Sequence, residues 1–225
     1  KEKHPSTIFP EAKTVIVIGK RITTGALRGI EEGTQFGIYN MYGRDWLMNR
    51  ILAMTTFKIA EFIEDNGWEA VPLPNLPTET PPMGISVREG QPAPNVMLDF
   101  NDAAVRAGLG EIGYLNVLLT PDFGPRQRIQ MILTSAEIEE DPLFTGNICD
   151  RSPEHKEFCP LNAINPDKES VISICGKEMK IAEIDYKKCE ECENGAFKNI
   201  HHSSGKPDRL GAICIRNCID YLEKN

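Results

Sequence analysis

The chain is short of basic residues, of aromatics and of long apolar runs. Its 25 Lys and Arg stand against 33 Asp and Glu, a formal net charge of −8. Such a surface repels a polyanion, so nucleic acid is not an expected partner. No apolar run approaches the roughly 18 residues that a membrane span needs, so no membrane span is expected. Nothing resembles a secretory signal, which predicts a cytoplasmic protein with reduced thiols rather than a disulfide framework. The chain begins at Lys1 without a methionine, which leaves a preceding segment open. What is present is a globular composition. Hydrophobic residues at 40% and charged residues at 26% of 225 positions allow one sizeable core plus a small appended module.

The seven cysteines carry the strongest signal, and they occur only from Cys149 onward. Cys149, Ser152, His155, Cys159 and Pro160 keep the C-x2-C-x2-C-x3-C-P spacing of the bacterial iron–sulfur motif, with Ser and His at the two middle positions. Downstream, Cys189 and Cys192 form a C-x2-C pair, and Cys214 and Cys218 follow after an insertion. In two-cluster ferredoxins the last cysteine of each run ligates the other cluster. By that crossover Cys159 joins Cys189, Cys192 and Cys214 in a complete four-thiolate site. Cys218 then joins Cys149 beside Ser152 and His155. Imidazole is a legitimate iron or zinc ligand, so this second site is open to an unusual cluster, a mononuclear metal or no metal. Spacing alone also permits a structural zinc in the first site, although the Cys159-Pro160 step favours iron–sulfur. Cys175 fits neither site and reads as a buried thiol. His201 and His202, in the insertion, read as loop residues.

Ahead of the cysteines, Thr14 to Gly19 is a β-branched run that predicts a buried strand. Leu47, Ile51, Met54, Ile59, Phe62 and Ile63 recur at helical spacing, predicting a long amphipathic helix that Asn66-Gly67 stops. Trp68 to Leu73 reads as a second strand. The proline-rich stretch from Pro72 to Pro94 reads as an irregular loop that shapes a substrate pocket. A helix starts at Asp102 and runs into Gly108, Gly110 and Gly113. These glycines match G-x-G-x-x-G by letter, but they follow a helix, so a Rossmann nucleotide site is not expected. They read either as a tight turn or as close backbone approach to a flat cofactor. Val117 to Thr120 and Ile129 to Thr134 read as strands joined through a hairpin that carries Arg126 and Arg128. Those guanidinium groups are either solvated or hold anionic and amide groups at a pocket mouth.

The run Ala103 to Tyr114, the run Leu118 to Arg128, then Cys149, Asp150 and Arg151, then Cys159-Pro160 resemble the reductive dehalogenase and epoxyqueuosine reductase family in order and spacing. The resemblance implies an α/β (α+β) protein: a nitroreductase-like cobalamin-binding domain over residues 1–140 and a ferredoxin-like iron–sulfur module over residues 141–225. It implies an anaerobic oxidoreductase in which [4Fe–4S] clusters pass electrons to cobalamin for reductive chemistry on a small molecule. An electron donor such as ferredoxin or flavodoxin is implied too. Gly108, Gly110, Gly113, Tyr114, Asn116 and Thr120, with Arg126 and Arg128, are the implied corrin contacts. Asp99, Asp102, Tyr39 and Tyr42 are the candidates for the catalytic acid. The sequence departs from the family at positions 152 and 155, which puts multi-electron reduction in doubt. It also has no long C-terminal repeat region, so a tRNA substrate is not expected. Two other readings stay open: a non-catalytic corrinoid-binding or electron-transfer protein, and FMN in place of cobalamin. The sequence leaves the oligomeric state and the substrate unassigned.

Overall fold

The computed structural model describes residues 4–73, 89–90, 98–151, 153–198 and 206–224. Ser152, His201, His202 and most of the proline-rich loop lie outside the described residues. In chain order the elements are α1 (Pro5–Ile8), β1 (Thr14–Arg21), α2 (Gly25–Glu31), α3 (Gly37–Tyr39), α4 (Ala53–Asp65), β2 (Ala70–Leu73), α5 (Phe100–Arg106), β3 (Glu111–Ile112), β4 (Leu118–Leu119) and β5 (Gln127–Thr134). A 3₁₀ helix (Pro153–Phe158), β6 (Ile164–Ile174), β7 (Lys177–Ile184), α6 (Tyr186–Glu190) and α7 (Ile213–Lys224) complete it. The architecture is mixed α/β with small antiparallel sheets.

β5 is the central strand of a three-stranded sheet ordered β1-β5-β2. Thr14 pairs with Thr134 and Arg21 with Gln127, while Ala70 pairs with Thr134 from the other side. Pro72 is tolerated because β2 is an edge strand, where a missing N–H breaks no ladder. Side chains alternate between the faces, as period 2 requires. Ile16, Ile18 and Ile132 pack with Ala60 and Ile63 of α4. Val17 and Ile129 pack on the other face with Ala104 and Val105 of α5 and Met179 and Ile181 of β7. Ile132 is fully buried, a contribution of about 1.5–3 kcal/mol for a side chain of this kind.

The long helix differs from its prediction. Two π-helical segments, Asn40–Asp45 and Leu47–Leu52, precede α4, and their wider turns change the phase of the buried face. Leu47, Met48, Leu52, Thr56, Ala60 and Ile63 point inward, while Ile51, Met54 and Phe62 are exposed. The predicted hairpin also differs. β4 pairs with β3, not with β5, so the turn through Pro121 to Arg126 joins two sheets. The β6-β7 hairpin was not visible as alternation. Its turn is Cys175-Gly176, both at positive φ (50° and 80°), and Cys175 is exposed rather than buried.

A further apolar cluster joins the two halves of the chain. It combines Ile22, Leu27, Tyr39, Tyr114 and Leu119 with Cys149, Leu210, Cys214, Ile215 and Cys218. The cysteine-bearing segments thus pack directly on the glycine-loop region.

Candidate functional site

The two cysteine runs converge on one narrow pocket. Cys159, Cys189, Cys192 and Cys214 all line it, with Ala163, Ala196, Ala212 and Ile213 as an apolar wall. Each thiol is set by its own local element. Cys159 follows the 3₁₀ helix, and its sulfur accepts the Ala163 N–H at 3.3 Å. Cys189 lies on α6, whose first turn is capped by the Asp185 carboxylate, and Cys214 lies on the first turn of α7. Burial pushes the Cys189 thiol up to about 11; Arg209 opposes this, and the other three thiols add to it. Burial also raises Cys214, again opposed by Arg209.

Arg209 is the residue that sequence reading missed here. It lines the same cavity and is 6% exposed. Its Nη2 donates to the Leu115 carbonyl at 2.7 Å, whereas its buried Nη1 has no hydrogen-bond partner among the described residues. A buried guanidinium N–H beside four thiols fits an anionic, sulfur-rich group, because it leaves a charged donor for that group to satisfy. The four-thiol pocket therefore fits an iron–sulfur cluster.

The second site brings together Cys149, Asp150 and His155, whose ligating atoms lie within 4.8 Å of one another. Asp150 belongs to the Cys-Asp-Arg run noted in the sequence but was not among the candidate ligands. Cys218 approaches from α7. Burial, with the Cys149, Cys214 and Asp150 charges, pushes its thiol up to about 12. The Cys149 backbone is anchored by Glu111, fully buried, which accepts the Ile148 and Cys149 N–H groups at 3.0 and 2.9 Å. Arg151 and Lys177 pair with the same carboxylate at 3.0 and 2.9 Å. Burial alone would raise the Glu111 pKa, but these N–H donors and cations outweigh it and hold the carboxyl below its usual range.

The implied corrin contacts are engaged by the chain itself. A Cβ at Gly110 would lie 1.9 Å from the Leu119 carbonyl oxygen, and one at Gly108 would lie 2.2 Å from that of Pro142. Gly113 faces the Leu119 side chain. Tyr114 is fully buried and donates to Glu169 at 2.8 Å. Asn116 donates to the Tyr186 hydroxyl and Thr120 to Gln127. Arg126 reaches the Ile22 carbonyl, Thr24 and Glu223. Arg128 binds the Gly43 carbonyl, the Tyr39 hydroxyl and Asp208. Each of these eight residues is packed against, or hydrogen-bonded to, another part of the chain.

The four candidate acids are similarly placed. Asp99 caps α5 by accepting the Asn101 and Asp102 N–H groups. Asp102 is paired with Arg106 one turn on. Tyr42 is exposed and meets the Trp46 ring edge-on. Tyr39 is fully buried, its hydroxyl accepting from Arg128 at 2.8 Å and lying 3.5 Å from both Asp208 oxygens. Burial and the Asp208 charge raise its pKa above the usual phenol value.

The chain is similar to reductive dehalogenases. A tetrachloroethene reductive dehalogenase of Desulfitobacterium hafniense is 28% identical over 173 residues, covering 75% of this chain and 28% of that protein. Another from the same species is 30% identical over 169 residues, covering 74% and 24%. That of Dehalobacter restrictus is 27% identical over 173 residues, covering 75% and 28%. The chain thus spans about a quarter of the length of these curated relatives. Among solved structures, a catabolic reductive dehalogenase matches with a TM-score of 0.53 at 17% identity, over 93% of this chain and 28% of its own. A reductive dehalogenase described for B12-dependent dehalogenation matches with a TM-score of 0.52 at 18% identity, over 79% and 22%. At that identity the reductive dehalogenase structures speak for the fold. No protein-family profile matches the chain. No helix among the described residues is long and apolar enough to cross a membrane.

Proposed function

We propose that this chain is the electron-carrying part of a corrinoid-dependent oxidoreductase, similar to reductive dehalogenases, that reduces a small molecule. One observation carries the redox reading: four cysteines from separate segments line one cavity beside a buried, incompletely satisfied Arg209. A [4Fe–4S] cluster there would supply one-electron transfer. The chain's own residues would do the rest. Cys159, Cys189, Cys192 and Cys214 hold the iron, Arg209 offsets the anionic charge, and the alanines and Ile213 keep water from the sulfurs. Residues 141–225 form the iron–sulfur module in this reading, with the ferredoxin-like crossover, and residues 1–140 the nitroreductase-like part.

Corrinoid dependence rests on likeness to the relatives, since the implied contacts are engaged within the chain. That engagement favours one second reading, an electron-transfer protein that takes no catalytic step itself. Anaerobic reconstitution with iron and sulfide, followed by metal and sulfide analysis and electron paramagnetic resonance, tests the redox reading. About four irons with matching sulfide, lost in Cys189→Ala, are expected. Zinc without sulfide in this pocket would overturn it. Adding cob(II)alamin or FMN to the loaded protein separates the two readings. Retention of cobalamin with reductive dehalogenation supports the enzyme, and no retention of either supports the carrier.

A further inference from the structure

The four-thiol pocket leaves Cys149, Asp150, His155 and Cys218 without a role. Their geometry differs in kind from that of a cubane. A cubane binds each protein donor to a different iron, which spreads the donors apart, whereas the sulfur, oxygen and nitrogen of Cys149, Asp150 and His155 lie within 4.8 Å of one another. His155 Nε2 is 3.4 Å from Asp150 Oδ1. That is longer than the usual N–H···O bond of about 2.7–3.2 Å. It matches the separation of about 3.4 Å that a tetrahedral zinc imposes on a nitrogen and an oxygen at ordinary bond lengths.

The surroundings hold these donors in place. Cys149 Sγ accepts the Tyr114 and Arg151 backbone N–H groups at 3.4 Å each, which fixes the position of the sulfur. The Tyr221 hydroxyl donates to Asp150 Oδ2 at 2.6 Å, which turns Oδ1 toward the imidazole. The His155 ring is 3% exposed and stacks on Phe158 at 5.1 Å. An outer shell that fixes both carboxylate and ring orientation is what a metal-ligating pair requires.

We propose that Cys149, Asp150 and His155 bind a single divalent ion of the zinc class, the fourth position being open to Cys218 of α7, whose sulfur lies outside their 4.8 Å group. Two thiolates, an imidazole and a carboxylate suit a tetrahedral N/O/S ion. Zinc is redox-inert, so the chain would carry electrons through one centre. The inference goes beyond the cluster reading and does not depend on it, because none of its donors lines the four-thiol cavity.

The test uses the full chain stripped of metal anaerobically and titrated with Co²⁺, whose thiolate-to-metal absorption reports the donors. Cys192→Ala, which disables the first pocket, is expected to retain one tight Co²⁺ with thiolate character, displaced by Zn²⁺. In that background His155→Ala and Asp150→Asn are expected to weaken Co²⁺ binding by about tenfold or more, and Tyr221→Phe by less. Asp150→Asn is nearly isosteric and carries the test should His155→Ala fail to fold, with circular dichroism as the control. Uptake of about four irons with sulfide by Cys192→Ala, or Co²⁺ affinity unchanged in Asp150→Asn, would overturn the proposal. Failure of the cluster reading appears separately, as absence of sulfide in the unsubstituted chain.

Discussion

Cys214 and Cys218 lie one helical turn apart on α7, and Cys214 faces the four-thiol pocket while Cys218 is buried in the same apolar cluster as Cys149. A single rigid helix therefore sets the separation of two candidate metal centres. The N-terminal run repeats the device in mirror order, because the 3₁₀ helix carries His155 to one centre and ends at Phe158, just before Cys159 at the other. The four-thiol centre therefore cannot form unless both cysteine runs are folded together.

Arg209 is the only cation on the four-thiol cavity among the described residues, which makes it the natural control of cluster potential. A nearby positive charge stabilises the more negative, reduced state. Arg209→Met should therefore lower the midpoint potential, with a tenfold change in the reduced-to-oxidised ratio corresponding to about 59 mV for one electron. Arg209→Lys should recover part of the shift. Potentiometric titration followed by electron paramagnetic resonance reads both, and an unchanged potential in the Met variant would remove Arg209 from this role.

Arg128 and Asp208 form a 2.6 Å ion pair whose side chains are 15% and 20% exposed. Removing the guanidinium leaves a carboxylate in a largely apolar setting, so Arg128→Met should cost about 3–5 kcal/mol in urea unfolding. The pair also predicts a pH dependence. Burial raises the Asp208 pKa, but the Arg128 charge and the Leu210 N–H outweigh it and leave it below the usual carboxylate value. Its contribution is thus complete above the unfolded pKa of about 3.9 and is lost as pH falls through the lower, folded value. The stability gap between the unsubstituted chain and Asp208→Asn should narrow below about pH 4. A gap that widened on acidification would contradict the assignment.

The glycine loop offers a test between packing and cofactor approach. Gly110→Ala drives a Cβ into the Leu119 carbonyl, where neither backbone can yield without breaking the β3-β4 pair. A loss of about 3 kcal/mol is expected, read as a lower Tm without any cofactor added. Gly67→Ala, at φ 89° with open space around it, should cost only about 1–2 kcal/mol. Were Gly110 kept for a ligand alone, its alanine variant would fold with an unchanged Tm.

Local signals made much of this arrangement legible. Strand β1, the Asn66-Gly67 helix stop and the meeting of Cys159 with Cys189, Cys192 and Cys214 at one pocket were legible in β-branching, turn chemistry and cysteine spacing. Non-local effects hid the rest. Pairing of β4 with β3 rather than β5 depends on how Gly110 and Leu119 meet, and a hairpin of short strands carries no register in its letters. The phase of the long helix was misread because π turns break the 3.6 period before α4. Arg209 gave no motif, and Asp150 stood in a noted run without a ligand role. A carboxylate beside a cysteine and an arginine in an insertion are ordinary until folding brings them against thiols.

Cys175 shows the same limit and gives a simple chemical test. Its place outside both cysteine runs suggested a buried thiol, yet the β6-β7 turn needs two residues at positive φ and so projects it to solvent beside Arg106. The other six thiols are half-buried or buried, and in the metal-loaded protein the proposed ligation would shield them further. A brief anaerobic pulse of iodoacetamide should therefore label one thiol per chain, and peptide mapping should find it at Cys175. Cys175→Ser should abolish that fast label while leaving iron, sulfide and zinc content unchanged. Loss of metal in this variant would mean that Cys175 is a ligand and that the division of the cysteines between the two centres is wrong.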